Sequence, residues 1–88
     1  MDFKVNRTDV LLMQTLESND ATNPAFGLTI TEIMTALAEI GSTKSRMSVY
    51  RRLRHLVDIG YIAKGVLENH ADTFYLVERG KRFIEGEI

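Results

Sequence analysis

The stretch Ser45–Ile62, SRMSVYRRLRHLVDIGYI, combines a helix start, a helix stop and a cluster of arginines. Ser45 is a residue type that caps helix N-termini, and Gly60 is a type that ends helices in a left-handed conformation. Between them, apolar residues recur at helical spacing, at Val49, Leu53, Leu56 and Val57. The stretch therefore predicts one amphipathic helix, here called helix 3, with a buried face and an opposite polar face.

The charge of this helix differs from the charge of the remaining chain. The formal charge from Lys44 to His55 is +5, whereas the other residues carry six bases and twelve acids. With about 100° of rotation per residue, Met47, Arg51 and Arg54 lie about 140–200° from Val49 and project away from the core. A solvated helix face is the ordinary explanation for such a cluster. The neighbouring elements must decide between that explanation and a binding surface.

Two helices are predicted before helix 3. Residues 7–18 have a wide apolar face, and residues 30–40 follow a capping-box pattern, Thr29 with Glu32, and end before Gly41. A turn of about four residues then leads to helix 3, which is the spacing of a helix-turn-helix. Residues 18–27, SNDATNPAFG, form a polar loop that is long for so small a domain and could carry a contact.

The pattern changes from helical to extended after Gly60. The segments YIAKGVLE and DTFYLV are rich in aromatic and β-branched residues and predict a β-hairpin, with Ile62, Phe74 and Leu76 facing inward. The last residues, ERGKRFIEGEI, predict a short closing helix that is interrupted or frayed at Gly86. A helix-turn-helix followed by a hairpin is the order of a winged helix.

Three segments, LTITEIMTALAEIG, SRMSVYRRLRHLVDIGYI and TFYLVERGKRFIEG, resemble consecutive signatures of bacterial and archaeal winged helix-turn-helix regulators. The resemblance covers about residues 28–86, although Val77 stands where that family commonly has a capping threonine. The expected fold class is α+β, with a three-helix core, a two-stranded β-wing and a short C-terminal helix. We expect one domain over residues 1–88, with the helix-turn-helix at about 30–59 and the wing at about 61–77.

The resemblance implies sequence-specific binding of double-stranded DNA with helix 3 in the major groove, as in a transcriptional regulator, most simply a repressor. The exposed N–H groups of the first turn favour an approaching phosphate. Arg52 lies nearer the buried side and is expected to form an intramolecular ion pair, and Tyr50 is expected at the domain edge. The wing tip carries Glu68 and Asp72, which weakens its attraction for phosphate. The candidate DNA contacts are Lys44, Ser45, Arg46, Met47, Ser48, Arg51, Arg54, His55 and Lys64.

The sequence argues against several other functions. It contains no cysteine, no HExxH motif, no phosphate-cradling glycine loop and no Ser-His-Asp pattern, so we expect neither an enzyme nor a cofactor nor a metal. His70 between Glu68 and Asp72 lacks helical ligand spacing and is interpreted as part of a polar turn. No long apolar run or secretory signal is present, so a cytoplasmic protein without a membrane segment is expected.

Two questions about partners stay open at this stage. Small size and the two-fold symmetry of many DNA sites favour a homodimer, joined through helix 1 and the C-terminal segment. The apolar residues assigned to that interface are Phe3, Val5, Leu11, Leu12, Phe83, Ile84 and Ile88. The alternative function is a winged-helix module for protein interaction, replication or plasmid partition. Its protein partner would dock through the acidic wing or the 18–27 loop.

Overall fold

The computed structural model describes residues 5–86, and within them the chain forms four α-helices, one short 3-10 turn and three strands. Their order confirms the predicted sequence of three helices, a hairpin and a closing helix. The elements are α1 (Arg7–Ser18), the 3-10 turn (Pro24–Phe26), β1 (Leu28–Thr29), α2 (Ile30–Glu39), α3 (Arg46–Asp58), β2 (Ile62–Lys64), β3 (Thr73–Leu76) and α4 (Glu78–Ile84).

The helix boundaries follow from the predicted caps. The Oγ1 atom of Thr29 accepts the Glu32 N–H at 3.1 Å, and the Glu32 carboxylate accepts the Thr29 N–H at 2.8 Å, which completes the capping box of α2. Gly60 has a φ of +84°, and the next N–H, from Tyr61, donates to the Leu56 carbonyl at 3.0 Å. This is the hydrogen bond of a Schellman motif, so α3 ends where the sequence predicted.

The sheet contains one strand that the sequence did not predict. Strands β2 and β3 pair antiparallel as expected, with Ile62 opposite Leu76, but β1 pairs with the other edge of β3, with Leu28 opposite Phe74. The strand order is β1-β3-β2. The expected two-stranded wing is therefore corrected to a three-stranded sheet, because two residues are too few to show an alternating pattern.

The loop before α2 packs against the wing. The backbone N–H of Leu76 donates to the Ala21 carbonyl at 2.8 Å, and the N–H of Val66 donates to the Pro24 carbonyl at 3.0 Å. These bonds satisfy backbone groups on both sides of the loop. The 18–27 segment and the hairpin are therefore neighbours in space, although about forty residues separate them.

One hydrophobic core joins the helices to the inner face of the sheet. The predicted inward residues Ile62, Phe74 and Leu76 are buried. Within residues 5–86, no helix is long and apolar enough to cross a membrane. The core comprises Leu12, Met13, Leu16, Ala21, Ile33, Leu37, Val49, Leu53, Leu56, Tyr61, Ile62, Phe74 and Leu76.

The core accounts for part of the apolar material that the sequence assigned to a dimer interface. Leu12 is completely buried, so its assignment to that interface is wrong: it packs inside its own protomer. Phe83 stacks on Tyr61 with ring centroids 5.0 Å apart, and Val5, Leu11 and Ile84 are partly buried against the core. Phe3 and Ile88 lie outside the described residues.

Helix α4 lies close to the start of the wing because one of its residues has no side chain. A Cβ atom on Gly80 would collide with the carbonyl oxygen of Tyr61 and would lie 2.8 Å from a methyl carbon of Leu76. This contact gives a physical reason for the Leu-x-x-x-Gly spacing between Leu76 and Gly80. Val77, the first residue before α4, makes no side-chain capping bond.

Candidate nucleic-acid interface

A buried ion pair fixes the orientation of α3 about its own axis. Arg52 donates from Nε and Nη2 to the two carboxylate oxygens of Asp9 on α1, at 2.8 and 2.6 Å. The Asp9 side chain is completely buried and also accepts the Asn6 N–H at 3.0 Å. The hydrogen bonds to Asp9 raise the pKa of Arg52 above its ordinary value, against a smaller opposing effect of burial. The prediction of an intramolecular partner for Arg52 is confirmed.

The other cationic side chains of this region point to solvent. Lys44, Arg46, Arg51 and Arg54 are all exposed, whereas Val49, Leu53 and Leu56 on the opposite face are fully buried. The predicted division of α3 into an inner and an outer face is therefore confirmed. Four positive charges occupy the outer face and the turn that precedes it.

Two side chains at the start of α3 are held by other polar groups. The Oγ of Ser45 accepts the Ser48 N–H at 3.1 Å and lies 3.0 Å from the Ser48 Oγ. The Nη2 of Arg46 donates to the Oγ1 of Thr31, in the first turn of α2, at 3.2 Å. This bond joins the two helices of the helix-turn-helix on their solvent side and restrains the Arg46 guanidinium.

The outer face of α3 is an open groove with a volume of about 440 Å³. Two of its side chains are apolar in character: Met47 is 58% exposed, and Tyr50 is 37% exposed. His55 is half-buried, and Asp58 is exposed near the C-terminal end of the helix. The groove is lined by Met47, Tyr50, Arg51, Arg54, His55 and Asp58.

The wing offers a different surface. The Nζ of Lys64 lies 3.4 Å from a carboxylate oxygen of Asp72, and both side chains are about half exposed. The tip turns at Asn69 and His70, which both have positive φ, and Glu68 lies at its base. Three large apolar side chains are exposed in or beside the wing, at Phe26, Val66 and Leu67. The structure thus separates Lys64 from the charges of α3 both by element and by its acidic neighbour.

Three residues that shape this region were not singled out from the sequence. Asp9 holds Arg52, Thr31 holds Arg46, and Asp58 adds a negative charge to the end of the groove. Asp9 had a detectable signal, since Asn6 and Asp9 have the spacing of a capping box, and both of its hydrogen bonds are present. The contacts of Thr31 and Asp58 depend on tertiary structure and leave no local pattern.

These observations define the chain as a winged helix-turn-helix: α2 and α3 form the helix-turn-helix, and the hairpin of β2 and β3 follows it as the wing. The solved structures include close matches to this fold. They are ferric uptake regulators, and the similarity lies in their DNA-binding domain.

The regulator of Francisella tularensis, determined with iron, is 26% identical to this chain, with a TM-score of 0.67 over 86% of this chain and 55% of the regulator. The regulator of Pseudomonas aeruginosa, determined with manganese, is 23% identical, with a TM-score of 0.68 over 83% and 52%. The regulator of Vibrio cholerae, described for a structural rearrangement of its DNA-binding domains, is 19% identical, with a TM-score of 0.68 over 82% and 52%.

The present chain spans about half the length of these regulators. Its sequence matches no protein-family model and no curated protein. Two of the regulators were determined with a metal, but in residues 5–86 of this chain no three His, Asp or Glu side chains are grouped so that they could hold one.

Proposed function

We propose that this protein binds double-stranded DNA as a transcriptional regulator, most simply a repressor, with the outer face of α3 in the major groove. The observation that carries the proposal is the sorting of the arginines. Arg52 turns inward to Asp9, while Arg51 and Arg54 remain exposed on the outer face. A helix that needed positive charge only for its own fold would have no use for the outward pair.

The fold supports the same function. In a helix-turn-helix the second helix enters the major groove with its N-terminal part toward the base edges. In this chain that part carries Ser45, Arg46, Met47 and Ser48, all exposed. The similarity to the DNA-binding domain of ferric uptake regulators adds independent support for duplex DNA as the ligand.

The proposed contacts fall into two groups. Lys44 and Arg46 lie at the start of α3 and contact phosphates, helped by the N–H groups of the first turn and the hydroxyls of Ser45 and Ser48. Arg51, Arg54 and His55 lie along the exposed face and reach base edges, where arginine pairs with the O6 and N7 atoms of guanine. Lys64 is a minor phosphate contact, because Asp72 already neutralises much of its charge.

A homodimer is the assembly that we propose for binding. Two protomers would place their α3 helices in successive major grooves, one helical turn of DNA apart. The partly buried side chains of Leu11, Phe83 and Ile84, on α1 and α4, are the available apolar contacts. Sedimentation at tens of micromolar protein tests this assembly, and a monomer at that concentration would contradict it.

A comparison of three single variants tests DNA binding itself. Loss of Arg51 in Arg51→Ala removes a base contact and should weaken specific binding by about 1–3 kcal/mol while relaxing the preference at one base pair. Lys44→Ala should weaken binding to all sequences alike and reduce the salt slope by about one. Arg82→Ala is the matched control, because Arg82 is an exposed arginine on α4 that pairs with Glu78.

The binding measurement is a titration of a duplex selected from random DNA, repeated at several salt concentrations. For a dimer that neutralises about three phosphates in each protomer, the log–log slope should be near −5. If Arg51→Ala and Lys44→Ala both bind every duplex as the parent does, the outward charges form only a solvated face. The second candidate function then becomes the leading one.

That second function is docking of another protein through the wing and the 18–27 loop. It is favoured by the exposed apolar group of Phe26, Val66 and Leu67, which are 65%, 62% and 59% exposed, next to the acid Glu68. Replacement of Leu67 by Asp should then abolish the biological activity of the protein while DNA binding stays unchanged. The reverse result, activity that follows Arg51 and ignores Leu67, would exclude this alternative.

A further inference from the structure

Met47 is an exposed apolar side chain in the middle of a cationic surface. It is 58% exposed, whereas Met13 is completely buried and Met34 is half-buried against the core. The core does not use Met47, since it lies on the face opposite Val49 and Leu53. The exposure of a large flexible apolar group at this position needs a ligand that offers an apolar surface of its own.

The neighbours of Met47 indicate what kind of ligand surface it meets. Met47 and Arg51 are four residues apart, as are Tyr50 and Arg54, so the four side chains form two parallel rows along the groove. The apolar members occupy the N-terminal end and the arginines the C-terminal end. A complementary ligand therefore presents an apolar group next to hydrogen-bond acceptors.

The DNA major groove presents this combination. The C5 methyl group of thymine is the apolar group on its floor, and guanine supplies the acceptors O6 and N7. Four residues of helix rise by about 6 Å, and neighbouring base pairs are about 3.4 Å apart. A methyl group contacted by Met47 would thus lie within about two base pairs of a guanine contacted by Arg51.

We propose that Met47 is a specificity-determining residue that contacts the C5 methyl group of a thymine in each half of the DNA site. This inference rests on the proposed function. The contact would select thymine over cytosine at that position, since cytosine carries no methyl group there. It would also place the thymine on the side of the guanine that faces the N-terminus of α3.

The experiment replaces single thymines by deoxyuridine in a duplex selected for binding to the full chain. This exchange removes the methyl group and leaves base pairing intact. For the parent protein, one replacement in each half-site should weaken binding about fourfold, the effect of one buried methyl group. Met47→Ala should bind the thymine duplex about as weakly and should show no further loss with deoxyuridine.

Two further variants make the test specific. Leu67→Ala removes a side chain of nearly the same exposure, 59%, from the wing, and should keep the full response to deoxyuridine. Met47→Leu retains an apolar group and should restore most of the response. Both variants replace exposed residues, so neither should disturb the core.

The outcomes separate this inference from the function on which it rests. Selective binding that depends on Arg51 but ignores deoxyuridine at every position would overturn the role of Met47 and leave DNA binding intact. An equal loss with deoxyuridine in the parent and in Met47→Ala would also overturn it, since another residue would then contact the methyl group. A chain that binds no duplex would overturn both proposals.

Discussion

The outer face of α3 and the wing are two exposed surfaces of one fold, and they differ in chemistry. The α3 face carries Arg51 and Arg54 around the apolar side chains of Met47 and Tyr50. In the wing, the charge of Lys64 is paired with Asp72, and apolar residues at the tip stand beside acids instead of bases. A winged helix therefore does not by itself tell which surface meets DNA: the local charge does, because phosphate contact supplies much of the affinity.

The Asp9–Arg52 ion pair is the contact whose loss should disturb this division most. Asp9→Ala should lower the free energy of unfolding by about 3–5 kcal/mol, because Arg52 would lose its partner and α1 its capping carboxylate. Denaturant unfolding measures the change.

The matched control for Asp9→Ala is Glu78→Ala, which breaks the exposed Arg82–Glu78 pair, with an N–O distance of 3.3 Å, and should cost at most about 0.5 kcal/mol. Similar losses in the two variants would show that the buried pair does not fix α3.

The second largest effect concerns the contact between α4 and the start of the wing. Gly80→Ala should destabilise the fold by about 1–3 kcal/mol, because the added methyl group overlaps the Tyr61 carbonyl and crowds Leu76. In an exposed helix the same exchange would stabilise by up to about 1 kcal/mol. The sign of the change in unfolding free energy therefore decides the point, and a more stable variant would show that α4 can move away without cost.

Local signals predicted most of the backbone. The capping box of Thr29 and Glu32, the serine cap at Ser45 and the glycine stop at Gly60 each involve residues close in sequence, and all were recovered. The division of α3 into two faces followed from helical periodicity alone. These features are predictable because each is decided within one or two turns of chain.

Features that depend on distant parts of the chain were not predicted. Strand β1 forms because Leu28 lies beside Phe74, and Asp9 meets Arg52 across 43 positions of sequence. The periodicity of α3 could show that Arg52 turns inward, but not which acid receives it. The assignment of Leu12 to a dimer interface failed for the same reason, since surplus apolar residues cannot be counted before the tertiary packing is known.

A smaller effect is expected at the tip of the wing. Asn69 and His70 have φ values of +50° and +70°, and Glu68 and Ala71 exchange backbone hydrogen bonds around them. This resembles the two-residue turn that favours Asn-Gly. His70→Gly should therefore raise the free energy of unfolding by about 0.5–1 kcal/mol, as relief of the left-handed conformation exceeds the added flexibility.

Thermal unfolding of His70→Gly beside Ala71→Gly checks this expectation, because Ala71 is a paired residue where glycine should only weaken the hairpin. DNA binding should be the same in both variants if the tip stays clear of the duplex. A change in the salt dependence of binding would instead place the tip at the phosphates.

The smallest effect is predicted for Lys64, and it tests the comparison of the two surfaces most directly. Lys64 and Lys44 are both exposed lysines, but the Lys64 ammonium lies 3.4 Å from Asp72, whereas Lys44 precedes a helix that carries two outward arginines. Lys64→Ala should therefore change DNA affinity by less than about 0.5 kcal/mol, as surface substitutions usually do, and leave the salt slope unchanged. Lys44→Ala should reduce that slope by about one. If the two variants lose the same affinity and the same slope, the wing contacts phosphate despite its acids. In that case Asp72→Asn, which frees the Lys64 charge, should bind DNA more tightly than the parent, and the contrast between the two surfaces would be one of degree.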